Sequence, residues 1–546
     1  NKNKEYPKDP AGTRLQTGRK KTVRGIPDFT KGKGMNEKIR RSVFYQIYPN
    51  SFMDGNGDGY GDFKGITEKL DYVASLGVDG IWLSPCFESP FCDGGYDVTD
   101  YFRPSARFGT MEEMDRMLAR AHELGLKVLL DLVAGHTSDQ NEMFRRSCEP
   151  ERNEYSDMFI WTNDAWKTYP EYRFEYGRAQ RYGAFMVNFF SIQPALNYGF
   201  KNITHAEWQL SYKNRECIKT REWLISVIKF WLGKGYDGFR VDMADSLVKN
   251  DDDKSATIEV WQHIFSVVRA EYPDAVFVSE WSDPEKSFKA GFDADFYLDH
   301  RDNGYYHLCR RIVEGKNESF FNPEGKGDAA AFMYDYLNRY LPTKNEGRIS
   351  FITGNHDIYR TAEYFDAEQI KLIYGVLLTM PGLPFIYYGD EIGLACKWKV
   401  EPKEGGFQRT GTRIPMQWTR GKNCGFSTAD ADKLFLPVDM GVDPVNVEEQ
   451  ERDENSLLNF VRKVIALRKQ NEDFCGTDFE VVFCESGRFP LIYKRGRFTV
   501  VVNPTLYAQR AYVKVSGEEV ISVGGGVEVK DNEISVMPQT LVIFGE

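Results

Sequence analysis

Arg240 and Asp242 stand two residues apart at the end of the short apolar run that leaves Gly238. Side chains alternate faces along a strand, so the two project to the same side. A carboxylate held beside a guanidinium is expected to keep a low pKa and stay ionised, as a nucleophile must. The pair is not isolated. A second apolar run, from Ala275 to Val278, leads to Glu280 beside Trp281, and a third, from Ile349 to Thr353, leads to Gly354-Asn355-His356-Asp357. Three strands, each followed by an acid at its C-terminal end, are suited to one catalytic constellation.

A different chemistry is written between Asp54 and Asp62. Asp54, Asn56, Asp58 and Asp62 place side-chain oxygens at even spacing through Gly-rich sequence, the pattern of a hard-cation loop. It is not an EF-hand. The twelfth position is Gly65 rather than a bidentate Glu, and a strand rather than a helix precedes it.

The elements that must position these groups alternate. Val43 to Tyr48 predicts a buried strand, Ile66 to Leu76 a helix stopped by Gly77, and Gly80 to Ser84 the next strand. Thr110-Met111-Glu112-Glu113 is a capping box, followed at helical spacing by Met114, Met117, Leu118 and Ala121 and stopped at Gly125. Lys127 to Val133 predicts the third strand, and further strands follow around Phe239, Val278, Ala294 to Tyr297, Ile352, and Leu383 to Tyr388. Eight strand–helix units predict an α/β fold, a (β/α)8 TIM barrel with its site at the C-terminal strand ends. The chain divides into a basic extension over 1–40, a barrel over 41–137 and 211–470, an inserted domain over 138–210 after the third strand, and an antiparallel C-terminal β-sandwich over 471–546. A second long insertion over 395–453 follows the eighth strand.

Composition excludes several function classes. With 546 residues, 41% hydrophobic and 28% charged, the chain reads as ordinary globular protein. Its net charge of -11 disfavours nucleic acid and anionic membrane and suits a small neutral partner. No apolar run approaches the roughly 20 residues that span a bilayer. The nine cysteines, irregularly spaced and without a CxxC pair, argue against a disulfide framework or zinc site, so a cytoplasmic location is expected. The chain begins at Asn1, which leaves room for a removed signal peptide. Residues 1–34 hold ten Lys/Arg against three Asp/Glu and show no apolar period.

Four pieces together carry a resemblance: Asp131-Leu132-Val133-Ala134-Gly135-His136, Gly238-Phe239-Arg240-Val241-Asp242, Val278-Ser279-Glu280-Trp281 and Gly354-Asn355-His356-Asp357. In this order they resemble the α-amylase family of retaining glycoside hydrolases. Gln193-Pro194-Ala195-Leu196-Asn197 and Arg413-Ile414-Pro415-Met416-Gln417-Trp418 look like segments of its oligo-1,6-glucosidase and α-glucosidase branch.

The resemblance implies that Asp242 is the nucleophile, Glu280 the general acid/base and Asp357 the stabiliser of the transition state. It implies sugar contacts from Tyr96, His136, Arg240, His356 and Arg360, and a substrate-facing pair of Asp93 with Arg413 that closes the pocket beyond one glucose. It also implies one structural calcium on Asp54, Asn56, Asp58, Asp62 and the Tyr60 carbonyl. Gly135 and Ala195 depart from the family pattern, so no calcium is expected between the barrel and its insertion. The implied activity is exo-acting hydrolysis of short α-glucosides such as maltose- and isomaltose-type oligosaccharides. A glucosyltransferase or isomerase on the same scaffold is the alternative, and a catalytically silent binding subunit a remote one. Met243, after the nucleophile, leaves linkage preference open.

Overall fold

Eight short runs rich in β-branched and aromatic residues become parallel strands. In the computed structural model, which describes residues 39–546 apart from 300–302, 440 and 442, they are β1 (Phe44–Ile47), β2 (Gly80–Leu83), β3 (Lys127–Val133), β4 (Gly238–Asp242), β5 (Val276–Ser279), β6 (Ala294–Phe296), β7 (Arg348–Ser350) and β8 (Phe385–Tyr387). Each pairs in parallel with its sequence neighbours, and β1 pairs with both β2 and β8. The ring closes where Ile352, just past β7, bridges to Phe385, whose N–H also donates to the Phe351 carbonyl at 2.8 Å. This is the expected (β/α)8 barrel. The basic extension expected over 1–40 lies almost wholly outside the described residues.

Strand alternation sorts the side chains. Phe44, Trp82, Leu129, Val276, Val278, Ala294, Phe296 and Phe385 fill the barrel interior, while Tyr45, Leu130, Leu132, Phe239, Val241 and Phe277 face the surrounding helices. Those helices are α1 (Phe63–Ser75), α2 (Met111–Glu123), α3 (Arg215–Gly233), α4 (Ser255–Glu271), α5 (Pro284–Ala290), α6 (Ala329–Thr343), α7 (Ala367–Leu377) and α8 (Leu457–Gln470). The first begins at Phe63 rather than Ile66 because Asp62 caps it, accepting the Gly65 N–H at 2.6 Å. Thr110 and Glu113 form the capping box expected for α2.

The excursion after β3 has its own small core of Ile160, Tyr169, Met186, Phe200 and Trp208. It is laced to the barrel where Leu196 donates to the Gly135 carbonyl at 3.0 Å. The segment after β8 folds mainly into turns of 3-10 helix, including Phe407–Arg413. It reaches the loop Asp54–Asp62, where the Ser427 hydroxyl donates to Asp54 at 2.6 Å.

At the C-terminus come β9 (Glu480–Phe483), β10 (Leu491–Arg495), β11 (Phe498–Asn503), β12 (Gln509–Ala511), β13 (Glu518–Val523), β14 (Val527–Lys530), β15 (Glu533–Val536) and β16 (Thr540–Gly545). They form an antiparallel five-stranded sheet, β9-β10-β11-β16-β13, and a three-stranded one, β12-β15-β14. Ile492, Val501, Ile534, Val536 and Val542 pack between the two sheets. The other face of the larger sheet joins the main core through Leu491, Val500, Val502 and Leu541. Gly375 on α7 is required there, since a Cβ would meet Leu541 Cδ1 at 2.3 Å. Among the described residues, no helix is long and apolar enough to cross a membrane.

Glu391 ties the two ends of the barrel sequence together. Fully buried after β8, it accepts hydroxyl protons from Tyr45 on β1 and Tyr72 on α1, each at 2.7 Å. Burial pushes its carboxyl from 4.5 up to about 7, against the pull of both tyrosines. A folded-state value above the unfolded one means that stability is fully present below about pH 4.5 and is lost as pH rises towards 7. The span corresponds to roughly 3 kcal/mol. Glu391→Gln, which keeps an acceptor for both tyrosines, is expected to lose less Tm than the parent between pH 5 and 8, measured by calorimetry. An identical pH dependence in the two proteins contradicts the assignment.

Candidate active site

The register of β3 against β4 sets Asp131 opposite Arg240 and Val133 opposite Asp242. Both members of the Arg240–Asp242 pair therefore point into the C-terminal mouth of the barrel. Arg240 is 1% exposed. Its Nη1 donates to Asp131 Oδ1 at 2.8 Å and to Asp242 Oδ1 at 3.0 Å, and its Nη2 lies 2.6 Å from Glu280 Oε1. Tyr96 and Trp82 donate to the other oxygen of Asp131 at 3.0 and 3.1 Å. Asp131 opens the Asp131-Leu132-Val133-Ala134-Gly135-His136 motif, and its role emerges only from its strand register with Arg240.

One cation thus serves three carboxylates. Burial pushes Asp242 well above the ordinary carboxylate value, with Glu280, Asp131 and Asp357 adding to the rise and Arg240 opposing it. The expectation of a low value is corrected on this point. Arg240 alone would lower the carboxyl, but burial and the neighbouring acids outweigh it.

Glu280 leaves the end of β5, and its Oε2 accepts the Met243 N–H at 3.1 Å. Met243 holds a left-handed conformation, φ 44, uncommon for a residue with a side chain. Asp357 follows β7. Its Oδ1 accepts from Arg409 and, at 3.2 Å, from Arg413, while His356 Nε2 lies 3.1 Å from Oδ2. Burial would raise Asp357, but His356, Arg413 and Arg409 outweigh it and hold the carboxyl well below its ordinary value.

Hydrogen-bond partners fix the orientation of both histidine rings. The Gln46 amide lies 3.0 Å from His356 Nδ1, which leaves the ring proton on Nε2, facing Asp357. His356 stacks against Tyr96 at 5.2 Å. His136 Nε2 lies 3.1 Å from the Tyr96 carbonyl, and its Nδ1 faces the Asn188 amide at 3.3 Å. Burial pushes His136 down to about 4. Asn188 is itself held by the half-buried Lys249, whose ammonium donates to its Oδ1 at 3.0 Å.

Two expected contacts are overturned. Asp93 does not pair with Arg413. It accepts from Gln193 at 2.8 Å and lies 3.5 Å from Arg409. Arg413 is packed beneath Gly94 and donates from Nε to the His356 carbonyl at 2.9 Å, so its side chain is spent on the loop that carries Asp357. The 3-10 turns of Phe407–Arg413 leave Arg409 on the rim instead. Nor does Arg360 face the cavity that holds the acids. Fully buried, it donates to the Tyr388 carbonyl at 2.6 Å, to Asp390 at 3.0 Å and to the Thr412 carbonyl at 3.0 Å, and so clamps the late insertion to β8.

The groups surround a cavity of about 240 Å³ lined by Asp93, Tyr96, His136, Asp242, Glu280 and Asp357, together with Phe189, Gln193, Met243 and Arg409. Of these last four, the sequence singles out only Met243, as the position that bears on linkage preference. Gln193 had a signal, its place in the Gln-Pro-Ala-Leu-Asn segment. Phe189 and Arg409 had none, since both lie in insertions without period.

In the loop Asp54–Asp62, three successive turns wrap inward: Asp54 accepts from Asn56 N–H, Asn56 from Asp58 N–H and Asp58 from Tyr60 N–H, at 3.2, 2.8 and 2.9 Å. This coil fits an oxygen-coordinated cation. Asp62 accepts the N–H groups of Gly55, Asn56 and Gly65. Among the described residues, no group of three His, Cys, Asp or Glu side chains converges closely enough to hold a metal by itself.

Similarity to known proteins follows the same outline. The chain is 31% identical over 523 residues to the glucan 1,6-alpha-glucosidase of Streptococcus pneumoniae serotype 4, covering 86% of this chain and 92% of that one. It is 31% identical over 483 residues to the trehalose synthase/amylase TreS of Mycolicibacterium smegmatis, covering 80% and 77%. It is 30% identical over 508 residues to the salivary alpha-glucosidase of Aedes aegypti, covering 83% and 82%. Among solved structures, the trehalulose synthase MutB from Pseudomonas mesoacidophila MX-45 superposes with a TM-score of 0.78 at 25% identity, over 93% of this chain and 99% of that one. The model of the alpha amylase catalytic domain matches residues 46–476, and with the barrel and its acids in place the chain belongs to the alpha-amylase family.

Proposed function

We propose that this chain is an exo-acting retaining α-glucosidase that hydrolyses short α-glucosides by double displacement. The observation that carries the reading is one guanidinium, Arg240, bridging Asp242 and Glu280 at the floor of a cavity of about 240 Å³. The names of two relatives, a glucan 1,6-alpha-glucosidase and an alpha-glucosidase, support it.

In the first half-reaction Asp242 attacks the anomeric carbon while Glu280 gives its proton to the departing oxygen; in the second, Glu280 takes a proton from the attacking water. The charge arrangement suits this exchange. Burial and the neighbouring acids raise the Asp242 carboxyl while Arg240 pulls it down, so substrate and guanidinium together set the charge on the attacking group. Asp357, held ionised by Arg409, Arg413 and His356, faces the positive charge that develops on the ring. Asp93, Gln193 and Arg409 close the far side and present hydrogen-bonding groups to the terminal hydroxyls.

Transfer or isomerisation shares the first half-reaction and differs in what intercepts the glycosyl intermediate. The relatives named trehalose synthase and trehalulose synthase favour that second reading. Product analysis with maltose, isomaltose, sucrose and trehalose separates the two: glucose released one unit at a time supports hydrolysis, and a new disaccharide supports transfer.

The proposed calcium belongs to stability. Asp54, Asn56, Asp58 and the Tyr60 carbonyl would hold it, with Asp62 at the helix cap; bound there, it would neutralise their charges and brace the start of α1. A reducing, cytoplasmic setting suits the buried free thiols Cys86, Cys217, Cys309 and Cys475.

Asp242→Asn is expected to lower kcat by about a thousandfold or more at unchanged Tm, and a variant that keeps a tenth of the parent rate defeats the nucleophile assignment. Arg409→Ala is expected to reduce kcat/KM on disaccharides roughly 10- to 100-fold with little change in Tm, because it loses sugar and Asp357 contacts from the rim. Arg413→Ala is expected to lower Tm as well, since its buried charge and hydrogen bonds support the Asp357 loop. The reverse ranking of the two melting temperatures would show that Arg413, not Arg409, is the sugar-facing group. Chelation is expected to lower Tm while the rate of the still-folded enzyme stays the same; an unchanged Tm removes the cation from the loop.

A further inference from the structure

Between β5, β6 and α5 the layer joining barrel to helices holds a buried polar cluster where apolar packing prevails elsewhere. Alternation turns Asp295, the middle residue of β6, away from the barrel interior that its neighbours Ala294 and Phe296 fill. It stands in register with Ser279 on β5. Asp295 is 1% exposed, and its Oδ1 accepts the Ser279 hydroxyl at 2.6 Å, the Trp281 N–H at 3.1 Å and the Ser282 N–H at 3.2 Å. Burial pushes its carboxyl up to about 7 despite these donors. A buried acid of this kind is expensive to keep unless its hydrogen bonds do something packing cannot.

What they hold is the backbone on either side of Glu280. Ser279 precedes that residue, and Trp281 and Ser282 follow it. Ser282 sits in the left-handed region, φ 60, where a residue with a side chain needs outside support. The support comes from Asp295, from the Leu298 N–H donating to the Ser282 hydroxyl at 3.3 Å, and from Arg339 donating to the Ser282 carbonyl at 2.8 Å. The turn aims Glu280 back across the barrel mouth, where its carboxyl meets Arg240 and the Met243 N–H.

We propose that Asp295 is the positioning residue of the acid/base: it acts through the backbone of residues 279–282 to set where the Glu280 carboxyl meets the departing oxygen. This rests on the reading of Glu280 as the proton donor. Asp295 touches neither substrate nor reacting atoms. A displacement of the carboxyl by a fraction of an ångström weakens proton delivery while leaving Asp242 and the sugar contacts in place.

The test compares a disaccharide, whose leaving group needs a proton, with a 2,4-dinitrophenyl α-glucoside, whose leaving group does not. Asp295→Ala is expected to lower kcat on maltose or isomaltose by about tenfold or more, and on the aryl glucoside by less than about threefold. Asp295→Asn, which keeps an acceptor for the Trp281 and Ser282 N–H groups, is expected to recover most of the disaccharide rate. Equal losses on both substrates, or a lower Tm with rates unchanged, overturn the proposal. Should Asp295→Ala fail to fold, Ser279→Ala removes one donor to the carboxylate and is read the same way: a leaving-group split supports the role, and its absence overturns it. Glu280→Gln separates the two ideas. No split there sinks Glu280 as the acid, whereas a split in Glu280→Gln with none in the Asp295 and Ser279 variants sinks only the positioning role.

Discussion

A single buried guanidinium orders this molecule's chemistry. Arg240 is shut away from water, and its charge is balanced by the carboxylates of Asp131, Asp242 and Glu280 around it. The three acids can approach one another only because Arg240 lies between them. Neither half is tolerable alone, since an uncompensated charge in such a site costs several kcal/mol. The constraint reaches outward. Asp131 must sit beside Arg240 on adjacent strands, Glu280 must arrive from the next strand on, and the planes of Trp82 and Tyr96 must flank the cation at 5.1 and 5.7 Å.

The second charge centre is built on the opposite logic. Asp357 is outnumbered by cationic and donor groups, whereas Arg240 is outnumbered by acids. The cavity therefore has an acid-rich side, where burial and neighbouring acids raise the Asp242 carboxyl, and a cation-rich side, where the Asp357 carboxyl is held low. Bond making and proton transfer need the first kind of environment, and stabilising a transient positive charge needs the second.

How far this was legible depended on which force placed each residue. Strands and the three acids were readable because apolar runs ending in Asp242, Glu280 and Asp357 report a local pattern with a fixed geometric result. The helix start at Phe63 was misplaced by three residues because a side-chain cap at Asp62, rather than the apolar period, decides it. Asp131 and Asp295 could not be weighed from the chain alone: each owes its role to a neighbour in register across the sheet, 109 and 16 residues away. Phe189 and Arg409 lie on insertions with no repeating pattern, so only the folded loops bring them to the cavity.

The two arginines of the late insertion show why resemblance placed one contact on the wrong side chain. A segment such as Arg413-Ile414-Pro415-Met416-Gln417-Trp418 marks a conformation, not a role. Arg413 is the group whose loss would loosen that conformation, because its Nε holds the His356 carbonyl and its guanidinium covers Tyr48 at 5.4 Å. Once it is committed to the loop, the task of facing Asp93 passes to a residue one turn earlier. Arg409 keeps 27% of its side chain exposed against 3% for Arg413, enough to meet a ligand entering from solvent. Buried residues of such a segment therefore define the frame, and the partly exposed ones beside them are free to set what the pocket accepts.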